Sequence, residues 1–284
     1  MSVHESGTFE SSGGLSLFEQ RWLPGAEPRG VVAIVHGYAE HSGRYAHVGE
    51  FLTGRGYAVE AFDLRGHGRS EGTRARVESV NEYLLDTGHF LYRIRERHLG
   101  RPIFLLGHSM GGLIATLYAI TRKPALDGLI LSGAAISADG APAPLRLVVR
   151  AVAKVSPGLG MTALDANAIS RDPEVVSAYV ADPLVYTGKM QAGLLAAMVR
   201  AIARVDRDME EIELPLLVMH GREDRLAPAA ASELLYARAG SADKTLKLYD
   251  GLYHEIFNEP EQGQVLGDLA AWLDAHTTTP GDAG

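Results

Sequence analysis

Three side chains of this chain have the types and order needed to attack an acyl carbon: a serine, a carboxylate and a histidine. The serine is Ser109, in Gly107-His108-Ser109-Met110-Gly111. A G-x-S-x-G alone is weak evidence, because short glycine–serine patterns arise by chance. Its context strengthens it. Ile103 to Leu106 form a short apolar run suited to a strand buried on both faces, and Leu113, Ile114 and Leu117 follow at helical spacing. A serine between strand and helix reads as a nucleophile elbow. The two glycines let strand and helix pass closely on a cramped turn. The first N–H groups of the helix then point at whatever Ser109 attacks.

A serine hydroxyl needs a base, and the base must be a histidine held in one tautomer by a carboxylate. With an elbow of this kind the chain order is Ser, Asp or Glu, then His. Of eleven histidines, His254 lies in Gly251-Leu-Tyr-His-Glu-Ile-Phe-Asn258, a loop after the last strand pattern and before the last helix pattern. His276 reads as a solvated tail residue. His36, His108 and His220 read as structural, hydrogen-bonded residues. The carboxylate is Glu223 or Asp224, both following Val218-Met-His-Gly221. Asp224 is favoured because the shorter side chain suits a tight turn, and Glu223 reads as a solvated charge. A developing oxyanion needs two preorganised N–H donors. Met110, just after the nucleophile, supplies one. The loop after the strand at 30–37 supplies the second, at Tyr38.

The elements that must position these groups follow from pattern. Gly13-Gly14 separates two strand-like stretches within residues 7–23, an edge hairpin. Apolar strands are predicted at 30–37, 57–63, 103–106, 126–133, 214–221 and 245–249, with helices between them through Val48, Phe51 and Leu52, at 78–98, through Leu113, Ile114 and Leu117, near 228–239 and at 261–276. The alternation implies a mostly parallel eight-stranded sheet with helices on both faces. It breaks at residues 137–207, which hold no convincing buried strand but helix-like stretches near 172–182 and 188–205. Inserted after a carboxyl-end loop, this segment belongs over the mouth of the site. The division is core at 1–136, cap at 137–207, core again at 208–276, and a disordered tail at 277–284.

Composition narrows the classes. The 284 residues carry a net charge of −8, which disfavours nucleic acid as a partner. There is no cysteine, so disulfides, thiolate metal sites and cysteine nucleophiles are excluded together. No basic, apolar leader opens the sequence, and no apolar run reaches the length of a spanning helix. The expectation is a soluble cytoplasmic protein. Within the cap, Leu145, Leu147, Val148, Val149 and Val152 interleave with Arg146, Arg150 and Lys154 at roughly helical spacing. Such a basic, apolar-faced helix suits transient contact with a membrane or micelle surface.

His36-Gly-Tyr-Ala-Glu-His-Ser-Gly-Arg-Tyr45, Asp63-Leu-Arg-Gly-His-Gly-Arg-Ser70, Gly107-His-Ser-Met-Gly-Gly112, His220-Gly-Arg-Glu-Asp224 and Tyr253-His254 together resemble the monoacylglycerol lipases of the α/β-hydrolase fold. The bacterial branch is most similar. The likeness spans nearly the whole chain and includes the cap stretch from Ala168 to Leu184. It implies Ser109, Asp224 and His254 as a catalytic triad and the N–H groups of Tyr38 and Met110 as the oxyanion hole. It also implies a polar pocket for glycerol hydroxyls near Glu40, Arg44 and Tyr179. The reaction it implies is hydrolysis of a monoacylglycerol to fatty acid and glycerol through an acyl-serine, with neither cofactor nor metal. A general carboxylesterase or lysophospholipase is the nearest alternative. A non-catalytic ligand-binding protein on the same scaffold is a more distant one. Epoxide hydrolases and dehalogenases would want a carboxylate where Ser109 stands.

Overall fold

The computed structural model describes residues 2–137 and 143–277, with the backbone alone at 143–146. The strands in chain order are β1 (Val3–Glu10), β2 (Ser16–Leu23), β3 (Val31–Val35), β4 (Ala58–Phe62), β5 (Ile103–His108), β6 (Gly128–Ser132), β7 (Gly160–Thr162), β8 (Met190–Gln191), β9 (Leu216–Gly221) and β10 (Lys244–Tyr249). The helices are α1 (Ala46–Thr53), α2 (Val80–Arg97), α3 (Met110–Arg122), α4 (Ala143–Val155), α5 (Pro173–Ala181), α6 (Ala192–Asp208), α7 (Ala229–Arg238) and α8 (Gln262–His276).

Eight strands form one sheet in the order β1-β2-β4-β3-β5-β6-β9-β10. Only the amino-terminal hairpin runs antiparallel; β3, β4, β5, β6, β9 and β10 are parallel to one another. The central strands β3, β4, β5, β6 and β9 are buried at every position because both faces are covered. Alternate side chains of a strand point to opposite faces, and the sheet sorts them so. Val31, Ala33, Val35, Leu105 and Leu131 join the core shared with α2 and α3. Val32, Ile34, Leu106, Ile130 and Met219 join the core on the other face, with α1 and α8. Helix α2 starts at a capping box, Ser79 with Glu82, a feature typically worth about 1 kcal/mol. From β3 the chain steps to β4 on one side and then to β5 on the other. That reversal opens a crevice at the carboxyl ends of β3 and β5, where ligands of open α/β sheets bind.

Between β6 and β9 the chain leaves the sheet. Helix α4 packs on α6, and α6 packs back on α3. The strands β7 and β8 form a separate small antiparallel pair. They are too short and too exposed to have shown an apolar pattern in the sequence. A small core of Ile169, Tyr179 and Val185 joins this region to Leu226, in the loop after β9. Three further contacts fasten residues 179–186 to the loop after β3. The Arg44 guanidinium lies 4.7 Å over the Tyr179 ring. His41 Nε2 is 2.9 Å from Asp182 Oδ2. The Tyr186 N–H donates to the Ala39 carbonyl at 2.8 Å, and Ala39 has a left-handed φ of 69°.

Two terminal expectations need correction. His276 is not solvated: its ring stacks on Trp272 at 3.9 Å and its Nε2 lies 2.9 Å from Asp243. Thr277, the first residue of the expected tail, is buried, and its hydroxyl donates to the Leu273 carbonyl. The expected disorder of residues 278–284 lies outside the described residues. No described helix is long and apolar enough to cross a membrane.

Candidate active site

Ser109 sits between the end of β5 and the start of α3 with φ 52° and ψ −117°. A non-glycine residue held there stores on the order of 1–3 kcal/mol of strain, so its surroundings must over-determine it. Three backbone hydrogen bonds do so: Ser109 N–H to Ser132 O, and Leu113 and Ala135 N–H to Ser109 O. The flanking glycines are a matter of space. A Cβ on Gly107 would meet Gly111 O at 2.4 Å, and one on Gly111 would meet Val35 O at 2.0 Å. The sequence expectation of a cramped strand-to-helix passage describes this geometry.

Asp224 and His254 come together from the loops after β9 and β10. His254 Nδ1 donates to Asp224 Oδ2 at 2.6 Å. His220 Nε2 donates to the same oxygen at 2.9 Å, while its Nδ1 pairs with the Ser232 hydroxyl at 2.7 Å. Asp224 Oδ1 accepts the N–H groups of Leu226 and Ala227 at 2.7 and 2.9 Å. The Asp224 side chain is 0% exposed. Burial alone would raise its pKa, but these donors hold it well below the usual carboxylate range. Glu223, the other candidate, is exposed. His254 is fully buried beside His108, ring centroids 4.8 Å apart. Burial pushes His108 down to about 4, with His254 adding to it. Burial would also lower His254, but the hydrogen bond and charge of Asp224, then the charges of Glu255 and Glu40, raise it above its ordinary value.

The loop after β3 reaches Ser109: a Cβ on Gly37 would lie 3.0 Å from Ser109 Cβ. The Gly37 N–H is taken by Glu40 Oε1 at 2.6 Å. The next N–H, that of Tyr38, makes no hydrogen bond among the described residues. That of Met110, first residue of α3, has no intrahelical acceptor. The Tyr38 ring turns away into the core, edge-on to His67 and Tyr186.

Glu40, Arg44 and Tyr179 also meet, around a residue that sequence reasoning missed. Arg44 donates to Glu40 Oε2 at 3.0 Å and forms a two-pronged pair with Glu255, both contacts 2.6 Å. Glu40 Oε1 further accepts from the Tyr45 hydroxyl. Burial opposes ionisation of Glu255, but the charge and hydrogen bonds of Arg44 pull it down to about 2. Its adjacency to His254 was the available signal. Its partner lies 211 residues away in the chain, which no local pattern reveals.

A pH profile reports this environment. With His254 as the proposed general base, which works neutral, activity should fall as pH drops through its pKa, and a raised pKa sets that acid limb at higher pH. Glu255→Gln removes one negative charge and moves the limb of kcat/KM to lower pH. An unmoved limb, or one moved to higher pH, contradicts the assignment.

A nucleophile elbow at a sheet switch point, with a buried His–Asp pair beside it, defines an α/β-hydrolase. The sequence model of the family described as "Serine aminopeptidase, S33" matches residues 26–261. The chain is 42% identical to the monoacylglycerol lipase of Mycolicibacterium smegmatis, over 97% of this chain and 99% of that one. It is 34% identical to the monoglyceride lipase of Homo sapiens, over 95% and 90%. The crystal structure of Paleococcus ferrophilus monoacylglycerol lipase matches with a TM-score of 0.81 at 35% identity, covering 92% of this chain and 99% of that one. The chain belongs to the monoacylglycerol lipase family, serine hydrolases of carboxylic esters.

Proposed function

We propose that this chain cleaves the ester bond of monoacylglycerols, with Ser109, Asp224 and His254 as its triad. Ser109 Oγ attacks the acyl carbon while His254 Nε2 takes its proton. Asp224 fixes the tautomer that leaves Nε2 free to do so. The N–H groups of Tyr38 and Met110 bind the oxyanion. His254 then returns the proton to the departing glycerol oxygen. Water, deprotonated by His254, releases the fatty acid from the acyl-serine.

The observation that carries the substrate reading is the charge beside the triad. Three carboxylates, Asp224, Glu40 and Glu255, stand beside the triad histidine or within the triad, and Arg44 pairs with Glu40 and Glu255 while Asp224 is held by His254. A neutral glycerol group enters such a field without penalty. A phosphate-bearing lysophospholipid meets repulsion that low dielectric strengthens. Glu40, Arg44 and Tyr179 are placed to orient the glycerol hydroxyls. The segment 137–207 acts as a cap that takes the acyl chain from a lipid aggregate. Each methylene kept out of water is worth about 0.8 kcal/mol, so delivery from aggregate to pocket avoids a large cost. Of the residues first assigned to the interface, Leu147 and Val148 are exposed, Val152 is half-buried, and Val149 is buried. The Leu145 and Arg146 side chains lie outside the described residues.

The test is a panel of monoacyl-, diacyl- and triacylglycerols and lysophospholipids with matched chains, presented in the same mixed micelles. Monoacylglycerol should lead in kcat/KM by about tenfold or more, a difference of about 1.4 kcal/mol in transition-state stabilisation. Equal or faster turnover of lysophospholipid would overturn the reading.

A further inference from the structure

Asp224 is held by two imidazoles, and only one of them belongs to the triad. His220 of β9 brings Nε2 to 2.9 Å from Asp224 Oδ2, the oxygen that also takes the His254 Nδ1–H at 2.6 Å. The same Nε2 lies 2.9 Å from the Ala227 carbonyl. Both neighbours are acceptors, so Nε2 carries the proton and donates to them. Nδ1 is then an acceptor, and the Ser232 hydroxyl of α7 donates to it at 2.7 Å. All three side chains, His220, Asp224 and Ser232, are fully buried.

A carboxylate has about four lone-pair sites. On Asp224 the N–H groups of Leu226 and Ala227 take those of Oδ1, and His254 and His220 take those of Oδ2. The main-chain pair holds the carboxylate in place whatever the side chains do. The two imidazoles compete for one oxygen. Each receives less of its charge than it would alone, so His220 limits what Asp224 gives to His254. The other charged or titratable groups around the His254 ring come from separate elements. They are Glu255 of its own loop, Glu40 of the loop after β3 with its partner Arg44, and His108 at the end of β5. Among the described residues only His220 reaches His254 through the carboxylate.

We propose that His220, locked by Ser232, is a positioning residue of the triad: it shares Asp224 Oδ2 with His254, fixes the carboxylate there and draws charge away from the triad histidine. This rests on the triad reading above and deepens it. His220 touches no reacting atom; it acts through Asp224.

The sign of its effect separates this role from a structural one. Without the His220 donor, His254 is the sole partner of Oδ2. The carboxylate, kept ionised by Leu226, Ala227 and His254, then acts more strongly on His254 and favours its protonated form. The base works neutral, so the acid limb of kcat/KM moves to higher pH. That is opposite to the shift expected of Glu255→Gln. Lost packing alone would lower stability and rate and leave the limb where it is.

The test is the pH profile of kcat/KM for a short, water-soluble monoacylglycerol, with thermal unfolding read in parallel. His220→Leu should move the acid limb upward, so that activity relative to the plateau falls by about threefold or more at a pH on the limb. His220→Gln, whose amide keeps an N–H for Oδ2, should hold the limb at its wild-type position. Ser232→Ala deprives Nδ1 of its donor, weakens the polarised chain that ends on Oδ2, and should move the limb in the same direction by less. A limb that stays in place or moves to lower pH in folded His220→Leu overturns the proposal. If the leucine variant does not fold, the same outcome in Ser232→Ala overturns it. So does a glutamine variant that shifts the limb as leucine does. Undiminished kcat in Asp224→Asn would instead overturn the triad reading, whatever the His220 variants show.

Discussion

Ser109→Ala lowers kcat by a factor on the order of 10⁴ or more and leaves the fold intact. Both halves follow from the elbow. The hydroxyl is the only group at that turn able to form an acyl intermediate, and removing it leaves whatever rate the oxyanion donors and binding supply alone. The fold survives because alanine meets the same backbone demand as serine. The left-handed φ of 52° is imposed by hydrogen bonds to Ser132, Leu113 and Ala135, all through the main chain. The hydroxyl itself contributes nothing to that scaffold. Fluorophosphonate labelling should vanish with the activity, while circular dichroism and thermal unfolding stay close to wild type. Near-normal turnover in the folded variant would rule out the mechanism.

Asp224→Asn should lower kcat by a factor on the order of 10⁴, and the hydrogen bonds say why. Two main-chain donors, Leu226 and Ala227, converge on Oδ1. An amide at this position therefore keeps its oxygen there and turns its NH₂ toward His254. The imidazole must then accept at Nδ1 and carry its proton on Nε2, the tautomer that cannot take a proton from Ser109. His220, which also donates to Oδ2, keeps a second acceptor in the Ala227 carbonyl at 2.9 Å, so the loop itself holds. Glu223→Gln, at an exposed position, should change kcat less than about twofold, in line with surface substitutions away from special features. The reverse ranking would show that the wrong carboxylate was assigned.

The parts of this protein that were legible in its sequence are those encoded locally. The strand–turn–helix context of Ser109 spans about twenty residues and needs no distant partner. Burial of both faces of β3 and β5 reads directly as short apolar runs. What escaped notice depends on tertiary contact. Glu255 looks like any charged loop residue until Arg44 arrives from the other end of the chain. Helix α4 carries apolar residues on more than one side, so periodicity alone did not say that Val149 faces inward while Leu147 and Val148 face out. His276 appeared to be a solvated tail residue because nothing in its neighbourhood announces Asp243, 33 residues upstream.

The three contacts that fasten residues 179–186 to the loop after β3 change what counts as a module. The loop carries Tyr38, Glu40 and Arg44, so the segment that pins it belongs functionally to the core, although in chain order it lies in the cap. Recombination between relatives would therefore not exchange the whole stretch between β6 and β9 as one piece. A graft confined to α4 and the β7 strand brings its own surface and leaves the pinned loop undisturbed. A graft that continues through Tyr179, Asp182 and Tyr186 must bring a matching set of partners at Arg44, His41 and Ala39. The heritable unit here is a pair of segments some 140 residues apart, and the stretch from α4 through β7 can diversify freely only up to the boundary they set.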